Sequence, residues 1–114
     1  MPFHFHGGGF SEVFLGRKRW FLTAHDHAPP FNPDHSMLQW VEGEYFKLIR
    51  DSKNAVALQN LYECTIGPGE MLYFPTQWHH AVLNLDPWTS FVSTFTLGEE
   101  LPDRITLGGS GGRK

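Results

Sequence analysis

One stretch, Leu72-Tyr73-Phe74-Pro75-Thr76-Gln77-Trp78-His79-His80-Ala81-Val82, decides the fold of this chain. Apolar and aromatic residues on either side of a proline favour two short strands, because proline cannot donate to a strand ladder. The first strand is predicted over 71–74 and the second over 81–85. His79 and His80 then lie at the lip of the second strand.

The rest of the chain shows the same pattern of short strands and tight turns. Its 114 residues include ten Phe, four Trp, three Tyr, twelve Gly and eight Pro, a mixture that favours strands over a helical bundle. Further strands are predicted over 10–15, 17–23, 61–66 and 90–97, with a turn over 67–70. A short helix is predicted after a Ser36 cap, with these side chains on one side: Met37, Leu38, Trp40 and Val41. Its second half is predicted over 45–49, and a little helix within 51–60.

Five or six short strands with one helical insertion indicate a mainly β fold, a small barrel or jelly roll. Such a barrel closes with about eight strands, so N-terminal strands are expected to be missing. The chain opens on Pro2-Phe3-His4-Phe5-His6, which is typical of the middle of a folded element. We therefore expect a fragment with one barrel domain over 1–100, followed by a flexible Gly-rich tail over 101–114.

Charge and composition exclude several classes of protein. The formal net charge is -3, so the basic surplus of a nucleic-acid binder is absent. No apolar run approaches the roughly 20 residues of a membrane span, and no charged leader precedes the first strand. With Cys64 as the one cysteine, no internal disulfide can form.

Histidine is the first residue type that indicates chemistry. His4 and His6 form an H-x-H pair, and both side chains of such a pair point to the same side of an extended chain. If His6 and His80 meet across the mouth of a barrel, two imidazoles are available to one metal ion. The alternative is that these are exposed or hydrogen-bonded structural histidines. For His25 and His27, in a proline-rich loop, we prefer this alternative.

Two further polar side chains accompany the strands. On the strand over 17–23, Lys18 shares a face with Trp20 and Leu22, and a lysine facing an apolar interior needs an anion. The inverted face, with Lys18 in water, is equally compatible with the pattern. Asn84 shares the face of Val82 on the strand after His80, where a ligand site or a turn-stabilising role would each explain the amide.

Several segments of the chain resemble those of a known family. The segment Gly16-Arg17-Lys18-Arg19-Trp20 is similar to the G-x-K-x-W segment of jumonji-C (JmjC) domains, and 72–82 resembles their second signature. Three further blocks resemble a JmjC member of the endoplasmic-reticulum lumen: 6–13, 63–66 and 83–86. The resemblance covers about residues 3 to 97.

The resemblance implies a double-stranded β-helix barrel of the cupin or jelly-roll type, with its site at one end. It implies Fe(II) and 2-oxoglutarate as cofactors, His80 as the distal iron ligand and Lys18 as the partner of the 2-oxoglutarate carboxylate. His6 and His4 are the further metal candidates, and Asn84 a further cofactor-binding candidate. The resemblance also implies the endoplasmic-reticulum lumen as the compartment.

One departure from the family bears on activity. Active members place H-x-D or H-x-E before the first of these strands, whereas here the string is His4-Phe5-His6. Glu12 lies inside a strand and Asp26 in a loop, and neither is a convincing substitute. No catalytic residue is therefore assigned.

Three functions follow as hypotheses. The first is a degenerate barrel that acts as a regulatory or protein-interaction module. The second is an active Fe(II)- and 2-oxoglutarate-dependent dioxygenase, a protein hydroxylase or demethylase. The third is a histidine-only cupin metal protein. The expected partner is a protein, as interactor or substrate.

Overall fold

The computed structural model describes residues 3–24, 27–51, 53 and 55–96. Within them, six strands form in the predicted places: β1 Gly9–Leu15, β2 Lys18–Thr23, β3 Leu61–Ile66, β4 Met71–Phe74, β5 His79–Asn84 and β6 Ser90–Phe95. The predicted tail over 101–114 lies outside the described residues, as does Leu97, the end of the last predicted strand.

The strands form two antiparallel sheets of three strands each. The order is β4-β1-β6 in one sheet and β3-β2-β5 in the other. Because sequence neighbours alternate between the sheets, the chain crosses from one sheet to the other after nearly every strand. This connectivity is that of a jelly roll, and six strands make it a partial one. The prediction of a mainly β jelly-roll fold is confirmed.

Strand β5 begins two residues earlier than predicted. Its pairing with β2 already includes Thr23 opposite His79 and Leu22 opposite His80. The predicted start at residue 81 was therefore wrong, and the two histidines form the first two pairs of the strand. They belong to the ladder because the histidine backbone pairs as well as any other, whatever the side chain carries.

The helical insertion begins at the predicted cap. Ser36 accepts a hydrogen bond from the backbone of Gln39, whose side chain accepts one from the Ser36 backbone in return, a capping box. The insertion runs through α1 Met37–Trp40, a π-helical turn over Val41–Tyr45 and α2 Phe46–Arg50, and a further turn, α3, follows at Ala55–Leu58. The predicted second half of the helix and the short helix within 51–60 are confirmed.

The prediction was wrong for one residue of the apolar helix face, Leu38. Met37 and Trp40 are buried, whereas Leu38 is 51% exposed. At 100° per residue, Leu38 is turned away from the side that Met37 and Trp40 share. Its side chain instead borders a cavity described below.

Both faces of the sheet β3-β2-β5 are covered by apolar side chains. On one face, Phe21 and Ala81 pack with Met37 and Trp40 of the helical insertion and with Phe3. The other face packs against the second sheet through a cluster of five residues from four strands: Val13, Trp20, Leu22, Ile66 and Phe74. Strand β2 is thus buried on both sides, and its apolar residues Trp20, Phe21 and Leu22 point to both faces.

No helix among the described residues is long and apolar enough to cross a membrane.

Candidate metal centre and adjoining cavity

The segment before β1 is held against β5 by its backbone. His4 donates to the carbonyl of His80 at 3.1 Å and accepts from the His80 N–H at 2.8 Å. This single antiparallel bridge fixes His4 directly beside His80. Since side chains two residues apart on extended chain point the same way, His6 turns toward His80 as well.

The three imidazoles form one group. Nε2 of His80 lies 3.1 Å from Nε2 of His6, and one ring nitrogen from each of His4, His6 and His80 lies within 4.8 Å of the others. His80 is buried, and His4 and His6 are partly buried. Two nitrogens bound at about 2.1 Å and at a right angle to one ion are about 3 Å apart. The His6–His80 separation is therefore that of two ligands on a shared metal ion.

Backbone carbonyls set the tautomers of two of these rings. Nδ1 of His80 lies 3.1 Å from the carbonyl oxygen of Trp78, and Nδ1 of His6 lies 2.8 Å from that of Gly7. A carbonyl can only accept, so Nδ1 carries the proton in each ring and Nε2 of each neutral ring carries a lone pair. Two lone pairs that face each other repel, so the pair requires a cation or a shared proton between them.

The environment favours a neutral His80. The pKa of His80 is lowered to about 4, chiefly by burial and to a smaller extent by the neighbouring histidines, while the hydrogen bond to the Trp78 carbonyl acts in the opposite direction. A neutral imidazole is the form that binds a metal ion. At pH 7 the His80 ring is therefore neutral, and a metal ion can bind it without first displacing a proton from Nε2.

A cavity of about 500 Å³ joins the histidines to Lys18. The predicted residues His4, His6, His80, Lys18 and Asn84 all line it. The register explains this, because Lys18 is opposite Asn84 and Leu22 is opposite His80 on the paired strands β2 and β5. The structure therefore brings the predicted site residues together; their roles as ligands stay predictions.

Lys18 faces the interior, which decides between the two alternatives left open by the sequence. It is 4% exposed, and its Nζ lies 3.1 Å from the centre of the Phe91 ring and 5.2 Å from that of Trp20. Burial lowers the pKa of Lys18 to about 8. Two aromatic faces attract the ammonium weakly, and neither supplies the charge of an anion.

The remaining candidate residues differ in their positions. Asn84 lines the cavity at its exposed end. Glu12 lines a separate groove with Phe10 and Val92, on the other face of β1, so it does not replace the missing carboxylate. His25 and Asp26 lie outside the described residues, and His27 and His35 are exposed.

Sequence reasoning missed the wall that β6 contributes. Phe91, Ser93 and Phe95 all line the cavity, and the ring of Phe95 lies 4.5 Å from that of His6. Their alternation along β6 was the available signal, because residues two apart share a face. It could not be used without knowing which face of β6 points inward.

Comparison with known proteins identifies the family. Human JmjC domain-containing protein 8 is 46% identical over 95 residues, which make up 83% of this chain and 33% of that protein. Lysine-specific demethylase JMJ21 of Arabidopsis thaliana is 31% identical over 99 residues, 75% of this chain and 10% of that protein. Rat HSPB1-associated protein 1 is 31% identical over 107 residues, 87% of this chain and 22% of that protein.

The chain belongs to the JmjC domain family. It spans about a third of the length of human JmjC domain-containing protein 8. No protein-family model matches it, and no solved structure does. The JmjC assignment, predicted from two signatures, is confirmed, and it places the chain in the Fe(II)/2-oxoglutarate oxygenase superfamily.

The three histidines fit a divalent metal ion in number and spacing, and the tautomers of His6 and His80 leave Nε2 free to bind it. His4, His6 and His80 would hold it, and it would supply open coordination positions to the cavity. The group within reach comprises three imidazoles, a neutral set that suits zinc, copper, iron or nickel. A 2-His-1-carboxylate site, the arrangement of non-haem Fe(II) oxygenases, is not formed by the described residues.

We expect one divalent ion to bind per chain and His80→Ala to reduce the affinity at least 100-fold, because the buried ligand and the backbone-set tautomer are lost together. Titration calorimetry with Zn(II), Co(II) and Fe(II) measures this. His35→Ala is the control, since His35 is exposed and outside the group. Equal affinity in both variants would contradict the three-histidine site.

A second expectation concerns Lys18→Met, which keeps the length of the side chain and removes the charge. Because the folded pKa is about 8 against an ordinary 10.5, the unfolded chain binds more protons between these values, and stability rises with pH across that window. The variant should lose this rise and gain up to about 3 kcal/mol at pH 7.

Urea unfolding at pH 7, 8, 9 and 10 checks the Lys18 expectation. Lys47→Met serves as the matched control, because Lys47 is exposed, and it should follow the original protein at every pH. A Lys18→Met curve parallel to that of Lys47→Met would show that the Lys18 ammonium is solvated.

Proposed function

We propose that this JmjC chain is a barrel that retains its cofactor cavity, is degenerate as an oxygenase, and acts as a regulatory or protein-interaction module. One observation carries the proposal. His6 stands at the position where active JmjC members have the carboxylate of H-x-D or H-x-E, and its Nε2 lies within 3.1 Å of His80. The carboxylate position is thus filled by a third imidazole.

Charge explains why this exchange works against oxygenase turnover. A carboxylate ligand contributes a negative charge to the metal ion, whereas imidazole contributes none. With three neutral ligands, the ion retains its full double charge and binds anions more strongly. The oxygen chemistry of the superfamily depends on the 2-His-1-carboxylate set and its open positions. The proposed site therefore binds its cofactors without catalysing oxygenation.

The cavity itself supports the retention of ligands. A buried cation without an anion is destabilising, and Lys18 lies in the same cavity as the histidines. A dicarboxylate such as 2-oxoglutarate offers one carboxylate to Lys18 and another to a metal ion. Fe(II) and 2-oxoglutarate are therefore the proposed cofactors, held for their effect on the barrel.

Two other functions have specific support. An active 2-oxoglutarate-dependent protein hydroxylase or demethylase is favoured by the shared cavity of Lys18, Asn84 and His80. A histidine-only cupin metal protein is favoured by the donor set, since three histidines also form catalytic zinc sites. The metal found after purification without added metal separates these: zinc or nickel favours the histidine-only protein.

Restoring the carboxylate tests the degenerate-barrel proposal. With Fe(II) and 2-oxoglutarate, the chain should form succinate at the background rate, and His6→Asp should raise that rate at least 10-fold by completing the facial triad. Adding His80→Ala to His6→Asp should return succinate to background. His35→Asp, which adds the same charge at an exposed site, is the control.

The proposal would be rejected by robust succinate formation in the unmodified chain that His80→Ala abolishes. In that case the three-imidazole site is itself competent, and the active oxygenase is the correct function. Succinate that is insensitive to His80→Ala would come from a contaminant and would be removed by further purification before the comparison is repeated.

We further propose a protein partner and a location in the endoplasmic-reticulum lumen. The compartment rests on the resemblance of 6–13, 63–66 and 83–86 to a lumenal JmjC member. Protease protection of the endogenous protein in intact microsomes tests it. Digestion without detergent would place the protein on the cytosolic side and refute the lumenal location.

A further inference from the structure

The sheet β4-β1-β6 has an outer face, turned away from the other sheet, that is mainly apolar. Alternation along β1 defines this face, because Val13 lies in the core on the inner side, and the register adds the neighbours in β4 and β6. Seven residues form it: Phe10, Glu12, Phe14, Met71, Tyr73, Val92 and Thr94. Its five large apolar or aromatic side chains are 47% to 57% exposed. Since a sheet face in water usually carries polar residues, this outer face has the composition of a covered surface.

Glu12 lies at the centre of the outer face. It belongs to the middle strand, with Met71 opposite it on one side and Val92 on the other, and it lines a groove of about 400 Å³ with its apolar neighbours. Its side chain is partly buried and makes no ion pair or hydrogen bond among the described residues. A carboxylate partly withdrawn from water among apolar side chains is stabilised by a cation.

The other sheet shows how this fold covers an outer face. There the helical insertion packs Trp40 against Phe21 of the central strand β2, with the ring centres 5.3 Å apart. The charged residue of that strand face is paired as well, because Arg19 lies 3.0 Å from Glu63, which accepts a 2.6 Å hydrogen bond from the Tyr45 hydroxyl of the insertion. The outer face around Glu12 has the same layout with the opposite charge, and no described residue covers it.

We propose that the outer face binds an amphipathic helix of a protein partner, whose apolar side packs on Phe10, Met71 and Val92. A Lys or Arg within that apolar side pairs with Glu12. Three strands at a spacing of about 4.8 Å span about 10 Å, which is the width of one helix. The docking surface rests on the protein-interaction role in the proposed function, and it requires neither a metal ion nor 2-oxoglutarate.

Charge argues against a second copy of the chain as the occupant. None of the seven residues of the outer face is basic, so two such faces packed together would bury two Glu12 carboxylates without a cation. Like charges brought together in an interface are repulsive. The partner must therefore differ from this chain and supply the positive charge.

A display library of amphipathic helices, each about 16 residues long, is the probe. Every member carries a leucine stripe at the i, i+3, i+4, i+7 spacing of a helix face, and one position inside the stripe is randomised. Selection on the full chain should enrich Lys or Arg at that position about 10-fold, the gain of one charge-assisted hydrogen bond to Glu12. Selection on Glu12→Lys should instead enrich Asp or Glu there, a reversal that a purely structural role of Glu12 would not produce.

The affinity of one selected peptide, measured by calorimetry, gives the second readout. Phe10→Thr should weaken binding about 10-fold or more, because a central aromatic side chain contributes strongly to an interface. Phe46→Thr is the matched control and should leave the affinity unchanged. Phe46 is 49% exposed against 47% for Phe10, but it lies on α2 of the helical insertion. Should Phe10→Thr not fold, Met71→Thr on the neighbouring strand of the same face replaces it.

Three results would overturn the docking surface. The first is a selection that enriches no cation at the randomised position, and the second is equal affinity of the peptide for Phe10→Thr and Phe46→Thr. The third is a dimer in light scattering that Phe10→Thr converts to a monomer, because a second copy then covers the face. Succinate formation is measured separately: turnover in the unmodified chain rejects the degenerate barrel and leaves the peptide affinity standing, whereas a failed selection leaves the His6→Asp result standing.

Discussion

The pairing of β2 with β5 is the constraint on which the site depends. Six consecutive antiparallel pairs run from Lys18 opposite Asn84 to Thr23 opposite His79. Because side chains alternate along a strand, this register turns Lys18 and His80 to the same face, at opposite ends of the pair. A shift of β5 by one residue would turn His80 to the face opposite Lys18. The bridge from His4 to His80 then extends the same alignment to the segment that carries His6.

The cavity combines groups that do not satisfy one another. At one end, two imidazole lone pairs face each other at 3.1 Å; at the other, a buried ammonium lies between two aromatic faces. The first requires a cation and the second an anion. The two needs are opposite in charge and lie at different places, because four residues of β2, roughly 13 Å of backbone, separate Lys18 from the partner of His80. A metal ion together with an extended dianion satisfies the two ends at once.

Much of this architecture could be predicted from the sequence. Strands β3 and β4 were predicted to the residue, and the Ser36 cap was correct, because each depends on local features: alternation, a proline stop, a capping box. The inward face of Lys18 could not be decided locally. Each face of its strand carries one basic residue followed by apolar ones, and both faces are covered, one by the helical insertion and the other by the second sheet. No purely polar face therefore marks the orientation of the strand.

The start of β5 illustrates the same limit at a single residue. His79 and His80 have weak strand preference, and only their partners Thr23 and Leu22 draw them into the ladder. The cavity wall formed by Phe91, Ser93 and Phe95 likewise cannot be predicted from the local sequence. Every residue of β6 is exposed, so burial does not distinguish the two faces of the strand.

By itself, then, the sequence determined the element types, the H-x-H pair without a carboxylate and the family, because each of these depends on residues that are close together in the sequence. Only the tertiary structure decided that His4 and His6 meet a histidine some 74 residues away and that Lys18 shares their cavity. These depend on the register between strands distant in sequence, which is set by backbone pairing and by packing on both faces of one sheet.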